Sequence, residues 1–318
     1  MKKVIGPFFE KVYGLTELKN PHNYALPDKP FIIDVELTNN CNLLCAFCDR
    51  QLMKRPKGFI DLEVFKKVAD QAAKAGVLGL RLIRWGEPYL HPLTFDFIRY
   101  AKSQGLLVHI TTNGLLLNEE KAKKTIESGL DNIIFSMQGT DERGYLEMRQ
   151  AKTGGENQYK IFLKNIENMI SLREGLGVDH PFIQVTTTTL DESKEEIDRW
   201  KNYWNRKVDL ATHTGSTSFC RVQGSSRVKN FLSRANYWKR DKPCNEVLTK
   251  LAVNWNGDFT ACANDYDNYM ILGNIKDVTV SQAWHSDKLN YYREVLKKNN
   301  QTEICKKIPY CSYCRNKF

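Results

Sequence analysis

Three cysteines near the beginning of the chain are spaced closely enough to share one metal centre. Cys41, Cys45 and Cys48 follow the pattern CxxxCxxC. Thiolates at this spacing can bind three irons of a [4Fe–4S] cluster, and the fourth iron then lacks a protein ligand. A structural zinc ion normally takes four protein ligands, which makes zinc the poorer fit. The loop therefore predicts an iron–sulfur cluster with one open iron, where a small molecule can bind and react.

A second group of cysteines lies near the C-terminus. Cys311 and Cys314 form a CxxC pair, and Cys244 and Cys262 precede them in the chain. Four thiolates of this kind can bind either a zinc ion or a [4Fe–4S] cluster, and the spacing alone does not choose between the two. Cys305 is either a spare thiol or a substitute for one of these ligands.

Predicted strands and helices alternate along the part of the chain that must position the first three cysteines. Between residues 31 and 214, short runs rich in Val, Ile, Leu and Thr alternate with helical periods, a pattern typical of an α/β protein with a parallel sheet. The first cysteine loop follows the first predicted strand, at the sheet edge where α/β proteins bind their ligands. The six predicted strands are Phe31–Leu37, Leu78–Arg84, Leu107–Thr112, Asn132–Met137, Phe182–Thr188 and Val208–Thr214.

The C-terminal quarter has a different pattern. Residues 215–243 are polar and break the alternation, which favours a loop or linker. An Asn-Gly pair between Leu251–Trp255 and Asp258–Cys262 predicts a β-hairpin, and one helix is expected from about Ser281 to Lys298. The predicted divisions are an N-terminal extension at 1–30, a core at 31–214, a linker at 215–243 and an auxiliary unit at 244–318.

The motifs at successive strand ends resemble those of the radical S-adenosylmethionine (SAM) superfamily. Phe47 supplies the aromatic residue that this family places before the last cysteine of CxxxCxxC. The resemblance implies a partial (β/α)6 TIM-like barrel with a small C-terminal β-hairpin and helix domain. It also implies that the open iron chelates SAM, and that one electron breaks the sulfonium bond to give a 5′-deoxyadenosyl radical.

Further segments match the parts of the family that contact SAM. Trp85-Gly86-Glu87-Pro88 resembles the GGEP motif with tryptophan in place of the first glycine, and Glu87 is suited to accept hydrogen bonds from the SAM ammonium group. The family's aspartate in the SLDG pattern is Gln138 here. The SAM-binding residues implied by the resemblance are Phe47, Gly86, Glu87, Thr112, Asn113, Ser136 and Arg149.

The C-terminal cysteines resemble the twitch or SPASM type of auxiliary domain that accompanies such cores. The resemblance implies a second [4Fe–4S] cluster, held by Cys244, Cys262, Cys311 and Cys314. The full SPASM pattern uses seven cysteines for two clusters, so the sequence favours the shorter, single-cluster form. A cluster with four protein ligands would move electrons rather than bind substrate.

The role of Cys220 distinguishes two possible reactions of the substrate radical. Cys220 follows the sixth predicted strand and is either a buried small hydrophobe or a hydrogen donor to a substrate radical. A hydrogen returned by Cys220 would give an epimer. Loss of an electron to the auxiliary cluster and of a proton to a base would instead give a dehydrogenated product.

Composition and length bear on substrate and partners. Only about 30 residues precede the first strand, whereas peptide-modifying relatives often have a longer recognition domain there, so we expect a small polar substrate such as a sugar, aminoglycoside or aminocyclitol. A ribosomally made peptide is the alternative substrate. The net charge of +10 suits an acidic electron donor such as flavodoxin or ferredoxin, while the scattered distribution of the lysines argues against a nucleic-acid partner.

The sequence also bears on the compartment. It has no export signal and no apolar run long enough to span a membrane, so we expect a cytoplasmic protein. A different class of function, a zinc-binding protein that contacts nucleic acid without catalysis, is a more remote alternative.

Overall fold

One mixed sheet runs through the protein. The computed structural model describes residues 6–14, 26–149, 157–189, 191–215, 244–298 and 300–313. Within them, nine strands form a sheet in the order β6-β5-β4-β3-β2-β1-β7-β8-β9, which does not close on itself. The strands are β1 Ile32–Val35, β2 Gly79–Leu82, β3 Leu107–Thr112, β4 Asn132–Gln138, β5 Phe182–Thr189, β6 Leu210–Gly215, β7 Lys250–Val253, β8 Asp258–Thr260 and β9 Ile271–Asn274.

The first six strands confirm the predicted α/β class and the partial barrel. Each pairs in parallel with its neighbour, and β1 is buried along its whole length. Burial on both faces explains why these strands read as nearly continuous apolar runs. The paired parts of β1 and β2 are shorter than the runs predicted from the sequence, because the last residues of each run turn into the loops of the site.

The helices begin at capping residues that the sequence supplies. Asp61 accepts a hydrogen bond from the Glu63 amide and starts α2, and Ser193 and Glu196 form a reciprocal capping box at the start of α7. Among the described helices none is both long and apolar enough to cross a membrane. The helices are α1 Pro7–Gly14, α2 Leu62–Lys74, α3 Thr94–Ser103, α4 Glu119–Glu127, α5 Glu142–Met148, α6 Gln158–Gly175, α7 Lys194–Trp204, α8 Asn245–Thr249, α9 Val280–Trp284, α10 Asp287–Lys297 and α11 Gln301–Lys307.

Helix α1 lies within the segment predicted only as an N-terminal extension. Phe8 and Val12 are buried against Ile32, at the start of β1. The Phe8 ring also lies 5.5 Å from the ring of His109 on β3. Helix α1 therefore covers the end of the barrel opposite the carboxyl ends of the strands.

Two details of the C-terminal unit differ from the sequence prediction. The predicted hairpin has a third strand, β9, which pairs antiparallel with β8 and was missed because its four residues are all half-buried and show no alternation. The single helix expected at 281–298 is two helices. His285 ends α9, and the Ser286 side chain accepts a hydrogen bond from the Leu289 amide to start α10.

The hairpin is joined to the barrel by backbone hydrogen bonds. Strand β7 pairs in parallel with β1, with Ile33 opposite Leu251 and Val35 opposite Val253. The N–H group of Glu36, just after β1, donates to the Val253 carbonyl at 2.9 Å. The strand that leads into the first cysteine loop is thus the strand on which the C-terminal unit is built.

Candidate active site

A cavity of about 440 Å³ opens at the carboxyl ends of the parallel strands. Its size is within the range of small-molecule sites, roughly 300 to 1,000 Å³. All ten residues that the sequence assigned to the first cluster and to SAM line it. They are Cys41, Cys45, Phe47, Cys48, Gly86, Glu87, Thr112, Asn113, Ser136 and Arg149.

The first cysteine loop is held in shape by side chains that follow it. Arg50 Nη2 donates to the Leu43 carbonyl at 2.7 Å, and Gln51 Nε2 donates to the Cys45 carbonyl at 2.8 Å. Burial raises the pKa of the Cys41 thiol and raises that of Cys48 to about 12. Binding to iron must therefore displace protons from these thiols, because thiolates are the ligands.

The sulfur atoms receive polar contacts from two other predicted site residues. Arg149 Nη1 lies 3.8 Å from Cys45 Sγ, and Asn113 Nδ2 lies 3.8 Å from Cys41 Sγ. Within the described part of the chain, no three His, Cys, Asp or Glu side chains converge tightly enough to hold a single metal ion. The three thiols instead border a shared space, and N–H groups directed at sulfur fit the thiolates of an iron–sulfur cluster.

Glu87 is a buried acidic residue in the lining of the cavity. It is 2% exposed and accepts hydrogen bonds from Thr112 Oγ1 at 2.7 Å and from the Asn113 amide at 2.8 Å. Burial raises its pKa, and these hydrogen bonds oppose that rise. No lysine or arginine of the described residues forms an ion pair with Glu87. The ammonium group of SAM would supply the missing counter-charge.

Arg149 and Gln138 present unused polar atoms to the same space. Arg149 Nη2 donates to Ser136 Oγ at 2.9 Å and also to the Ser136 carbonyl. Arg149 Nε and Gln138 Oε1 are buried and have no hydrogen-bond partner among the described residues. Buried polar atoms without a partner are uncommon, so a bound ligand is a physical reason for them.

The cavity lining also contains a group of charged side chains, which sequence reasoning missed. Asp34 on β1 accepts two hydrogen bonds of 2.5 Å from Arg81 on β2. Lys250 Nζ donates to Glu246 Oε1 at 2.7 Å. We call Asp34, Arg81, Arg84, Glu246 and Lys250 the charged wall. We call Cys41, Cys45, Cys48, Glu87, Asn113, Ser136 and Arg149 the motif wall.

Trp85, which departs from the family motif, also lines the cavity. Its ring meets the Tyr266 ring of the C-terminal unit edge-on, with ring centroids 5.9 Å apart. The tryptophan thus lies where the barrel and the C-terminal unit meet.

The described C-terminal cysteines lie outside the lining but near it. Cys244, Cys262 and Cys311 are half-buried and pack against the main core. The Tyr310 hydroxyl donates to the Asn264 carbonyl, which brings the turn bearing Cys311 against the loop after Cys262. That loop continues into the cavity wall, because Ala263 and Asn264 line it. This arrangement fits a second cluster beside the cavity.

The side chains of three further cysteines lie outside the part of the chain that the structure describes. Cys220 and Cys314 lie outside the described residues. Cys305 lies within α11, but the position of its side chain is not described. The roles predicted for them stay predictions.

Two family models match the chain on either side of the segment predicted as a linker. The radical SAM superfamily matches residues 35–178, and the iron–sulfur cluster-binding SPASM domain matches residues 244–315. The chain therefore belongs to the radical SAM superfamily and has a C-terminal SPASM domain. It binds SAM and a [4Fe–4S] cluster in its core, with further iron–sulfur binding in the SPASM domain.

Several characterised proteins are similar over most of the chain. A tungsten-containing aldehyde ferredoxin oxidoreductase cofactor-modifying protein of Pyrococcus furiosus is 24% identical over 302 residues, 83% of each chain. A PqqA peptide cyclase of Gluconobacter oxydans is 26% identical over 85% of this chain and 80% of its own. An S-adenosyl-L-methionine-dependent 2-deoxy-scyllo-inosamine dehydrogenase of Niallia circulans is 21% identical over 88% and 93%.

Solved structures show the same fold. Streptococcus suis SuiB bound to S-adenosylmethionine has a TM-score of 0.67, with 14% sequence identity over 93% of this chain and 74% of that one. The likeness supports the partial barrel with its C-terminal extension.

Proposed function

We propose that this radical SAM enzyme removes a hydrogen atom from a carbon of a small polar substrate and releases a dehydrogenated product, with epimerisation as the other outcome. The observation that carries the proposal is the shared cavity, which has the SAM residues on one wall and ionisable groups on the other. The bound cofactors supply the hydrogen-abstracting radical and the electron transfer.

The motif wall orients SAM in this proposal. Cys41, Cys45 and Cys48 hold the core cluster, and Glu87 accepts from the SAM ammonium group. Arg149, with its buried Nε lacking a described partner, donates to the SAM carboxylate or ribose. Each contact is charge-assisted, which favours one orientation of SAM over others.

The charged wall faces the substrate, and it contains a candidate proton acceptor. Both carboxylate oxygens of Asp34 are occupied by Arg81. Glu246 Oε1 accepts from Lys250, whereas no described residue occupies its second oxygen. Glu246 is therefore the carboxylate that we propose to take the proton released during oxidation.

Dehydrogenation has one structural argument in its favour. Consecutive Cα atoms are about 3.8 Å apart, so a cluster on Cys262 would lie only one residue from the cavity wall at Ala263. Cys244, Cys262, Cys311 and Cys314 would hold that cluster. One relative is a 2-deoxy-scyllo-inosamine dehydrogenase, which is consistent with a polar substrate. We propose flavodoxin or ferredoxin as the electron donor.

Modification of a ribosomally made peptide is the second candidate. A PqqA peptide cyclase is similar over 85% of the chain. SAM would bind to the motif wall in both candidate reactions. The two candidates therefore differ in the substrate that contacts the charged wall, a small polar molecule or a peptide.

Anaerobic turnover tests the proposal. The reconstituted protein is expected to contain about eight irons, and to form 5′-deoxyadenosine from SAM when dithionite is added. A product two mass units lighter than substrate supports dehydrogenation, whereas one deuterium gained from deuterated solvent supports epimerisation. Cys45→Ala is the matched control. Failure of the fully loaded protein to form 5′-deoxyadenosine would refute the proposal.

A further inference from the structure

Arg84, a member of the charged wall, has hydrogen-bond donors that no described residue accepts from. Its Nε and Nη1 atoms are buried and have no partner among the described residues. Its Nη2 atom donates to the Asp265 carbonyl at 2.8 Å, which fixes the guanidinium against the C-terminal unit. Buried donors normally find acceptors. The two unused donors therefore mark a place where an acceptor is missing.

The backbone at Arg84 is strained. Its φ angle of +133° lies in a region that residues with a side chain rarely adopt. Such conformations persist where the surrounding structure imposes them, and they cluster at functional sites. Here the conformation occurs at the end of β2, directly before Trp85-Gly86-Glu87. The strain is thus located between the two walls of the cavity.

The carboxylates near Arg84 are already occupied. Both oxygens of Glu36 accept hydrogen bonds from Arg55. The Asp265 carboxylate accepts from Thr260 Oγ1 and from backbone amides, including that of Met270. These two carboxylates attract Arg84 through space, yet neither accepts a hydrogen bond from its guanidinium. The acceptor for Arg84 must come from outside the described residues.

The charges of the cavity indicate what that acceptor is. Its lining includes four cationic and three anionic side chains. Asp34 neutralises Arg81 and Glu246 neutralises Lys250. In the proposed binding mode, Glu87 meets the ammonium group of SAM and Arg149 meets its carboxylate. One positive charge remains, that of Arg84. A single carboxylate matches one charge, whereas a phosphate monoester carries about −1.5 to −2.

We propose that Arg84 binds a carboxylate group of the substrate and thereby positions it between SAM and the C-terminal unit. The inference rests on the proposed function, since it assigns the charged wall to substrate. It favours sugar acids, amino acids and peptides with an acidic group over neutral sugars and aminocyclitols. Arg84 is a binding residue in this scheme, because it touches the substrate away from the reacting carbon.

Arginine footprinting tests the assignment on the full chain loaded with clusters and saturated with SAM. Phenylglyoxal modifies unpaired guanidinium groups, and mass spectrometry of the peptide that contains Arg84 measures the rate. We expect Arg84 to be modified and acetate to slow its modification. Acetamide has nearly the same shape as acetate but is neutral. It should need a concentration about tenfold higher to give the same protection, because hydrogen bonds between charged groups are stronger. Arg81, paired with Asp34, is the internal control and should react slowly.

Four results would overturn the proposal. They are an Arg84 that does not react with or without SAM, equal protection by acetate and acetamide, stronger protection by inorganic phosphate than by acetate, and complete protection when SAM is added to the SAM-free protein. The last result would assign Arg84 to the cofactor. The footprint does not depend on turnover. If Arg84 shows the expected footprint but the protein forms no 5′-deoxyadenosine, the proposed reaction is contradicted and the assignment of Arg84 as a carboxylate-binding residue is still supported.

Discussion

The two walls of the cavity are built from different kinds of interaction. On the motif wall, Glu87 accepts from neutral donors and the thiols receive only long N–H contacts, so among the described residues Glu87 and the thiols have no short ion pair. On the charged wall, Asp34 and Arg81 neutralise each other directly. The difference indicates that the motif wall is completed by its cofactors, whereas the charged wall is mostly paired within the described residues and leaves the guanidinium of Arg84 and one oxygen of Glu246 for a ligand.

The largest expected effect separates the two groups of cysteines. Cys45→Ala should abolish 5′-deoxyadenosine formation and remove about four irons per chain, because three thiolates are needed to leave one iron open. Cys262→Ala is the matched variant and should retain SAM cleavage while losing the oxidised product. Iron content and both products are measured in the same anaerobic assay. Retained SAM cleavage in Cys45→Ala would contradict the assignment of this loop.

A second prediction concerns the stability of the charged wall. Asp34→Asn should lower the free energy of unfolding by about 3–5 kcal/mol, because it leaves the Arg81 charge buried without its partner. Urea denaturation measures the change. Glu63→Gln, which removes the exposed Lys66–Glu63 pair, is the control and should change it by no more than about 1 kcal/mol. Equal effects in the two variants would show that the Asp34–Arg81 pair is not buried in solution.

The third prediction concerns charge on the motif wall. Glu87→Gln should weaken SAM binding by about 10- to 100-fold, since a hydrogen bond to a charged group contributes about 1.5–3 kcal/mol. Burial raises the pKa of Glu87, so SAM affinity should fall as the pH is lowered through that raised value and the carboxylate becomes protonated. Equilibrium dialysis across a pH series measures this. The SAM affinity of the Glu87→Gln variant should not depend on pH in this range. If the affinity falls equally in both proteins, the pH dependence belongs to another group.

The motif wall could be predicted from the sequence because its members stand in short motifs after successive strands. The carboxyl ends of parallel strands meet at one edge, so contiguous motifs become neighbours in space. All ten residues assigned in this way line one cavity. The six parallel strands could be predicted because short apolar runs alternate with helical periods. Burial on both faces of the sheet makes such runs strongly apolar.

The charged wall could not be predicted because its members lie inside strands or far apart in the chain. Asp34 and Arg81 are single charged residues in otherwise apolar strands, and they meet because the register of β1 and β2 places them opposite each other. A charge inside a run that otherwise reads as buried was the available signal, since such charges are almost always paired. Strand β9 and the pairing of β7 with β1 depend on long-range contacts that leave no local pattern.

The pairing of β7 with β1 has a consequence for any shortened form of the protein. If the chain ended before residue 244, β1 would lose its neighbour and become the outermost strand of the sheet. An uncovered row of backbone N–H and C=O groups invites the strand of another molecule to pair with it, which leads to aggregation. The barrel without its C-terminal unit is thus expected to be an insoluble fragment rather than a smaller enzyme.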